Sequence, residues 1–345
     1  MSKRETTALV LGATGGIGGE VARQLLNAGW TVRALQRSAT EPVQQRDGMT
    51  WLRGDALNRA DVLSAAEGCA VIVHAVNPPA YRDWDKVVLP MIDNTVAAAV
   101  AQHATVVLPG TVYNFGPDAF TGAFPGTFAE LAEDAPQHPV TRKGAIRVQM
   151  EQRLEAASRQ GARAIIVRAG DFFGPRPGNN WFSQGLVKPG HAVTSIANPA
   201  SPGVGHQWAY LPDVARTMVE LLARRDTLAA FERFHFAGFW DATGTQMAEA
   251  IQRVVARRTG RTPRIGRTPW WLLRLMAPFV TTLRELMEMR YLWRQPVRML
   301  NSRVVEVLGR EPRTPIDQAV EASLVGLGCL PKADERSASV APAKA

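Results

Sequence analysis

The chain has 345 residues, 46% of them apolar, and a net charge of +9, which is enough for one large domain, or a domain with a lobe, around a sizeable core. Cys69 and Cys329 lie far apart without metal-like spacing, which excludes a disulfide framework and points to a reducing compartment. Met1 to Thr7 holds no signal-peptide run, and the most apolar stretch, Trp270 to Val280, is too short to span a membrane and is broken by Arg274 and Pro278; a cytoplasmic protein with no transmembrane segment is expected.

The first element is the most informative. Ala8 to Leu11 is a short apolar run followed at once by Gly12, Gly15 and Gly18, then by an amphipathic segment from Gly19 to Asn27 that ends at Gly29, then by Thr31 to Leu35. Strand, glycine turn, helix and strand in that order form a βαβ unit, the context for a dinucleotide site. Gly12 permits the tight turn, Gly15 lets backbone N–H groups approach a pyrophosphate, and Gly18 lets the helix pack close to the sheet. The helix N-terminus turns its positive end to the phosphates. The second strand ends at Leu35, and Gln36 stands where an acid would hold the adenosine ribose. Arg37 after it favours a 2′-phosphate, hence NADP with NAD as the alternative; the other reading of Arg37 is an exposed arginine in a basic turn.

Met49 to Asp55 reads as a third strand running into a turn, with Asp55 placed at the adenine end of a cofactor. A helix is predicted from Asn58 to Ala66. Ala70 to His74 reads as a buried parallel strand, and Ala75-Val-Asn-Pro-Pro79 leaves it as a loop over the cofactor. His74 reads as a core or loop residue before a catalyst. A long helix from Asp85 to Gln102 and a fifth strand from Thr105 to Leu108 continue the alternation of a doubly wound parallel sheet. Pro109 to Pro136 is loop-like. Pro139 is expected to open a helix in which Lys143 and Arg147 project from one face. Arg163 to Arg168 is the sixth strand, leading to Asp171 and Pro175 at a strand's carboxyl end.

Beyond Arg176 the alternation weakens. Asn179, Asn180, Trp181 and Phe182 are candidate pocket lining. Trp208 to Asp213 precedes a helix to Ala223, Phe234 to Phe236 is a short strand, and Thr243 is expected to cap a helix running to Arg258. Thr268-Pro269 and Thr314-Pro315 open further helices, the last over Ile316 to Leu324. Residues 333–345 are polar and alanine-rich, and a disordered tail is expected there. The positive charge is local: Arg253 to Arg313 holds fourteen arginines, no lysine and four acids. Such a span attracts nucleic acid, anionic lipid or an acidic substrate, or is a solvated helical face. It lacks the aromatic–basic interleaving of a stacking platform, so nucleic acid is not an expected partner. Trp270, Leu272, Leu275, Leu283, Leu286, Leu292 and Val304 within it predict that it folds into the lobe.

Gly12-Ala-Thr-Gly-Gly-Ile-Gly18, Gly54-Asp55, Thr111-Val-Tyr113, Arg168 with Phe173-Gly-Pro175, and Tyr210-Leu-Pro-Asp213 together resemble the extended short-chain dehydrogenase/reductases, the NAD-dependent epimerase/dehydratase family. The resemblance implies an α/β fold: a Rossmann-type doubly wound parallel sheet over 6–175, and a smaller, mostly C-terminal substrate lobe over 176–330 with some elements returning to the first domain. It implies cofactor contacts at Gly12, Thr14, Gly15, Gly16, Ile17, Gly18, Arg37, Asp55, Ala56, Ala75, Asn77 and Arg168. It also implies a Tyr-x-x-x-Lys pair, and here the chain departs. Alignment on Glu151 places Arg147 at the lysine position, Lys143 at the tyrosine position and Pro109 at that of the family's Ser/Thr, with Thr111 the nearest hydroxyl. The candidate catalytic residues are Lys143, Arg147, Thr111 and Tyr113, with Asp171 as a further acid. Two functions stay open: an NADP-dependent oxidoreductase of a small carbonyl or alcohol, and a catalytically inactive NADP-binding sensor or interaction protein. The expected partners are a small-molecule substrate and, as one assembly left open, a second copy of the chain.

Overall fold

The apolar run at the start of the chain becomes β1 (Thr7–Leu11), buried along its whole length. The computed structural model describes residues 6–78, 84–116, 119, 130–176, 180–279 and 281–332. After β1 come α1 (Gly16–Asn27), β2 (Thr31–Gln36), β3 (Val43–Arg46), β4 (Met49–Arg53), α2 (Arg59–Ala66), β5 (Val71–His74), α3 (Trp84–Gln102) and β6 (Thr105–Thr111). A two-residue strand, β7 (Glu130–Leu131), precedes α4 (Arg142–Ser158) and β8 (Arg163–Ala169). All of these strands except β7, with the later β12 (Phe231–Phe236), form an eight-stranded sheet in the order β12-β8-β6-β5-β1-β2-β4-β3. Every pairing in it is parallel except that of β3 with β4. The strand order reverses between β1 and β5, which opens a crevice at the carboxyl ends of the strands.

Helices cover both faces of this sheet. Val21 and Leu25 of α1 pack on one face with Val214, Met218 and Leu221. Val62, Val88, Ile92, Ile146, Met150 and Leu154, from α2, α3 and α4, pack on the other. The chain then builds a second core. It runs through β9 (Asp171–Phe173), β10 (Ser195–Asn198), β11 (His206–Tyr210), α5 (Leu211–Leu222), β12 (Phe231–Phe236), β13 (Phe239–Asp241), α6 (Gln246–Thr259), β14 (Arg264–Arg267), α7 (Trp270–Met276), α8 (Thr281–Glu288), β15 (Arg298–Met299), α9 (Ser302–Leu308) and α10 (Ile316–Gly326). Strands β13, β11 and β9 form a small sheet, β10 pairs with β14, and β15 pairs with β7. Phe182, Trp208, Ile251, Trp293, Val320 and Leu324 fill the space between them. Strand β12 lies outside this small sheet and completes the large one beside β8.

Several local expectations are corrected. Helix α4 begins at Arg142 and not at Pro139, because Thr141 is its N-cap and its hydroxyl accepts from Gly144 N at 3.0 Å. Thr243 does not cap α6. The Asp241 carboxylate does, accepting from Gln246 N and Met247 N, both at 3.1 Å. Strand β3 was not expected. It forms a hairpin with β4 across Asp47 and Gly48, which adopt φ of 54° and 73°, the mirror-image turn that Asp-Gly favours. The side chain of Leu286, Asn179 and the tail at 333–345 lie outside the described residues.

Candidate active site

The carboxyl ends of β1, β5, β6 and β8 meet where the strand order reverses. Gly12 leaves β1 with φ +89°, and a Cβ there would lie 2.5 Å from the Ala75 carbonyl oxygen. A Cβ on Gly18 would lie 2.3 Å from the Gly12 oxygen. Neither position tolerates a side chain, so the turn and the first turn of α1 are pressed together beneath the loop leaving β5. Thr14 and Gly15 are exposed at the mouth of the turn. Gly15 is the N-cap of α1 and offers no side-chain cap, so the helix presents backbone N–H groups to whatever occupies the mouth.

At the other end of this edge, Arg37 follows β2 and Asp55 follows β4. Their charged groups lie 3.9 Å apart, with the Arg37 side chain 66% exposed. The Gln36 side chain accepts from Arg46 at 3.3 Å. Ala56 is buried, and its carbonyl accepts from Asn94 Nδ2 at 2.9 Å.

Helix α4 supplies the polar groups at the centre. Lys143 and Arg147 are both buried, one turn apart. The Arg147 guanidinium donates to Asn77 Oδ1 at 3.2 Å and to Pro109 O at 3.4 Å, and lies over the Trp84 ring. It therefore joins the ends of β5 and β6. Thr111 closes β6 and donates to Asn114 Oδ1 at 3.2 Å. Tyr113 stands on the following turn, whose backbone is so close that a Cβ on Gly144 would meet the Tyr113 oxygen at 2.2 Å. Arg147 and Asn77 thus meet at the ends of β5 and β6, with Lys143 one turn earlier on α4.

Arg168, expected as a cofactor contact, is committed to a buried ion pair with Glu151. Its side chain is fully buried and bonds the Glu151 carboxylate through Nε at 3.0 Å and Nη2 at 2.6 Å. Its Nη1 reaches Glu133 O and His235 Nε2, both at 3.1 Å. Glu151 also accepts from Asn114 Nδ2 at 2.7 Å and Gln137 Nε2 at 3.0 Å. The arginine commits four of its five N–H donors inside the protein; it ties α4 to β8 and to the segment before α4.

Asp171 lines a small cavity with Val112, Gly170, His206, Gln207, Leu292 and Val297, with a volume of about 10 Å³, room for one water. Its carboxylate lies 2.8 Å from His206 Nε2, and His206 Nδ1 lies 3.3 Å from Leu292 O. Both ring nitrogens face oxygen atoms. The Trp293 ring stacks on the histidine at 3.7 Å. Sequence reading missed His206, because the partnership arises from the pairing of β11 with β9, which brings the strands together across 35 residues.

His74 and His235 are buried core residues. Burial and the nearby charge of Arg147 push the His74 imidazole down to about 3, and burial with Arg168 pushes His235 down to about 3. Unfolded histidines take up protons near pH 6.5. Stability from these two is therefore complete above pH 6.5 and falls as the pH drops towards 3, by about 1.4 kcal/mol per pH unit for each. Among the described residues His74 Nε2 has no hydrogen-bond partner, so His74→Leu strands none of them on that side. The variant should show a shallower decline of melting temperature between pH 6 and pH 4.5; a slope equal to that of the wild type would remove His74 from this account.

The profile of the NAD dependent epimerase/dehydratase family matches residues 8–236. A Synechocystis sp. protein named only provisionally as a dihydroflavonol 4-reductase is 30% identical over 176 residues, which are 48% of this chain and 49% of that protein; the match thus spans about half the length of that relative. Among solved structures, the UDP-N-acetylglucosamine 4-epimerase of Bacillus cereus is 16% identical with a TM-score of 0.67, over 93% of this chain and 99% of that one. The UDP-glucose 4-epimerase of Brucella ovis, in complex with NAD, is 14% identical with a TM-score of 0.69, over 94% and 98%. At these identities the structures show that the fold is shared over nearly the whole chain.

Proposed function

We propose, since the chain belongs to the NAD dependent epimerase/dehydratase family, that it is an NADP-dependent oxidoreductase of a small carbonyl or alcohol substrate in which Lys143 replaces a tyrosine as the proton-transfer group. The observation that carries this reading is the buried pair on α4: Arg147 spans Asn77 and Pro109 at the strand ends, and Lys143 stands one turn before it. Two buried cations are costly unless they are paired or hydrogen-bonded, and Arg147 meets this through Asn77, Pro109 O and the Trp84 ring.

The side-chain-free cradle at Gly12 and Gly18 fits a dinucleotide pyrophosphate, held by the backbone from Thr14 to Gly18. Arg37 takes the 2′-phosphate, Asp55 the adenosine end, and the loop Ala75 to Asn77 covers the cofactor. Bound NADPH supplies a hydride. The chain does the rest: Lys143 donates a proton to the substrate oxygen as it gains charge, Arg147 holds cofactor oxygens and keeps Asn77 in place, and Thr111 and Tyr113 orient the substrate.

Arg37 decides the cofactor. A charge-assisted contact to the 2′-phosphate is worth about 1.5–3 kcal/mol, or about ten- to a hundredfold in affinity. NADPH should bind the wild type more tightly than NADH, and Arg37→Ala should lose that margin while NADH affinity holds. Equal dissociation constants in the wild type would remove the NADP assignment.

The activity itself is tested by following NADPH oxidation against a panel of aldehydes, ketones and nucleotide sugars. Turnover of any member supports the oxidoreductase. NADPH binding without turnover across the panel would favour the second reading, a cofactor-binding sensor, which the replacement of the family's tyrosine by Lys143 also suits.

A further inference from the structure

We propose that the segment from Arg261 to Arg284 is a docking face for an anionic lipid bilayer, with α7 lying flat in the membrane interface. Six of the fourteen arginines in the span form two groups of ion pairs with other elements. Arg253, Arg257 and Arg258 pair with Asp317 and Glu321, joining α6 to α10. Arg298, Arg303 and Arg310 pair with Glu130, Glu232 and Glu220. These arginines stitch the protein together. Between the two groups, Arg261, Arg264, Arg267, Arg274 and Arg284 are exposed, and among the described residues none of them forms an ion pair.

The same segment exposes large apolar side chains. Helix α7 buries none of its residues. Trp270 pins it: the indole donates to Pro199 O at 2.9 Å, packs against Trp181 and lies under the Arg290 guanidinium. The helical turns continue past α7, with Ala277 N bonding Leu273 O and Phe279 N bonding Met276 O. Trp271, Leu275 and Phe279 are spaced by four, so they share a face, and they are 73%, 64% and 87% exposed. Leu272, Met276 and Ile265 beside them are exposed too.

Charge selects the occupant. A second copy seated face to face would set five arginines against the same five. Residues 333–345 hold two acids and two basic residues and offer no complementary charge. Nucleic acid would engage the arginines and leave Leu275, Met276 and Phe279 in water. An anionic interface satisfies both features, with headgroup phosphates against the guanidinia and the apolar face in the headgroup–acyl boundary. No described helix is long and apolar enough to cross a membrane, which fits a segment lying on the surface. The inference does not rest on the proposed chemistry.

The test is co-flotation of the full-length protein with phosphatidylcholine vesicles prepared with and without phosphatidylglycerol, with duplex DNA binding and solution mass measured alongside. Binding is expected only to the anionic vesicles and should weaken with added salt. Each arginine at an anionic surface multiplies partitioning by about fivefold. Trp271→Ser/Leu275→Ser/Phe279→Ser and, separately, Arg264→Gln/Arg267→Gln/Arg274→Gln should each lower partitioning about tenfold or more. All six positions are exposed, so the wild-type melting temperature and NADPH affinity should be kept. No vesicle binding, equal binding to neutral vesicles, or unchanged binding by either variant would overturn the proposal. So would the first variant turning a dimer into a monomer, or DNA binding in place of vesicle binding.

Discussion

Replacing Lys143 with methionine should lower NADPH-dependent carbonyl reduction by about 10²–10⁴-fold, the usual cost of losing a general acid. Methionine keeps the length and apolar stem of a side chain that is 4% exposed, so the fold and the cap at Thr141 should survive. NADPH affinity should change little, because the contacts proposed for the cofactor come from Arg37, the glycine turn and Arg147. Tyr113→Phe should keep most of the activity, since Tyr113 stands on the turn above α4 and is assigned only orientation. Asp171→Asn is the informative control. If Lys143→Met keeps full turnover, the lysine assignment is wrong; if Asp171→Asn then loses it, Asp171 with its partner His206 is the proton-transfer group instead.

The parts of the molecule legible in the sequence are those whose signal is local. The run before Gly12, the spacing of the glycines and the buried strand ending at His74 each state their structure within a few residues, and β1, α1 and β5 appear where that reading puts them. The hairpin of β3 and β4 was equally legible, since Asp47-Gly48 is a turn signal between two short runs. The strand itself carries little signal, because Val43 to Arg46 is mostly polar and lies at the sheet edge, without the burial pattern of the other strands. What lay beyond sequence reading is long-range. Arg168 in a strand-end motif looks like a ligand contact until the 17-residue separation from Glu151 is closed by packing α4 on β8. His206 has no local mark at all; its partner is chosen by strand pairing. Asp241 displaces Thr243 as a cap for a similar reason: β13 delivers its carboxylate directly over the first turn of α6.

Glu151→Ala should destabilise the protein by about 3–5 kcal/mol, the cost of breaking a buried ion pair by removing one partner. The loss is larger than that of a single contact, because the carboxylate accepts from Arg168 twice and from Asn114 and Gln137 once each. All four donors would be left without it, and Arg168 would remain a buried cation held by Glu133 O and His235 alone. For a chain of this size that corresponds to a fall in melting temperature on the order of 10 °C. The double variant Glu151→Leu/Arg168→Met removes both charges together and replaces them with apolar volume. It should recover much of the lost stability, since desolvation offsets most of the attraction in a buried pair. A double variant as unstable as the sum of the two single variants would mean that the surrounding hydrogen bonds, and not the stranded charge, set the cost. The same variants settle the role of Arg168. As an anchor of α4 it should affect NADPH affinity only through the position of Arg147, so Arg168→Met, measured where it is folded, should bind NADPH within about threefold of the wild type, less than the about tenfold expected for loss of a direct contact to a charged group. A loss of tenfold or more in that variant, with the double variant equally impaired, would return Arg168 to the cofactor site.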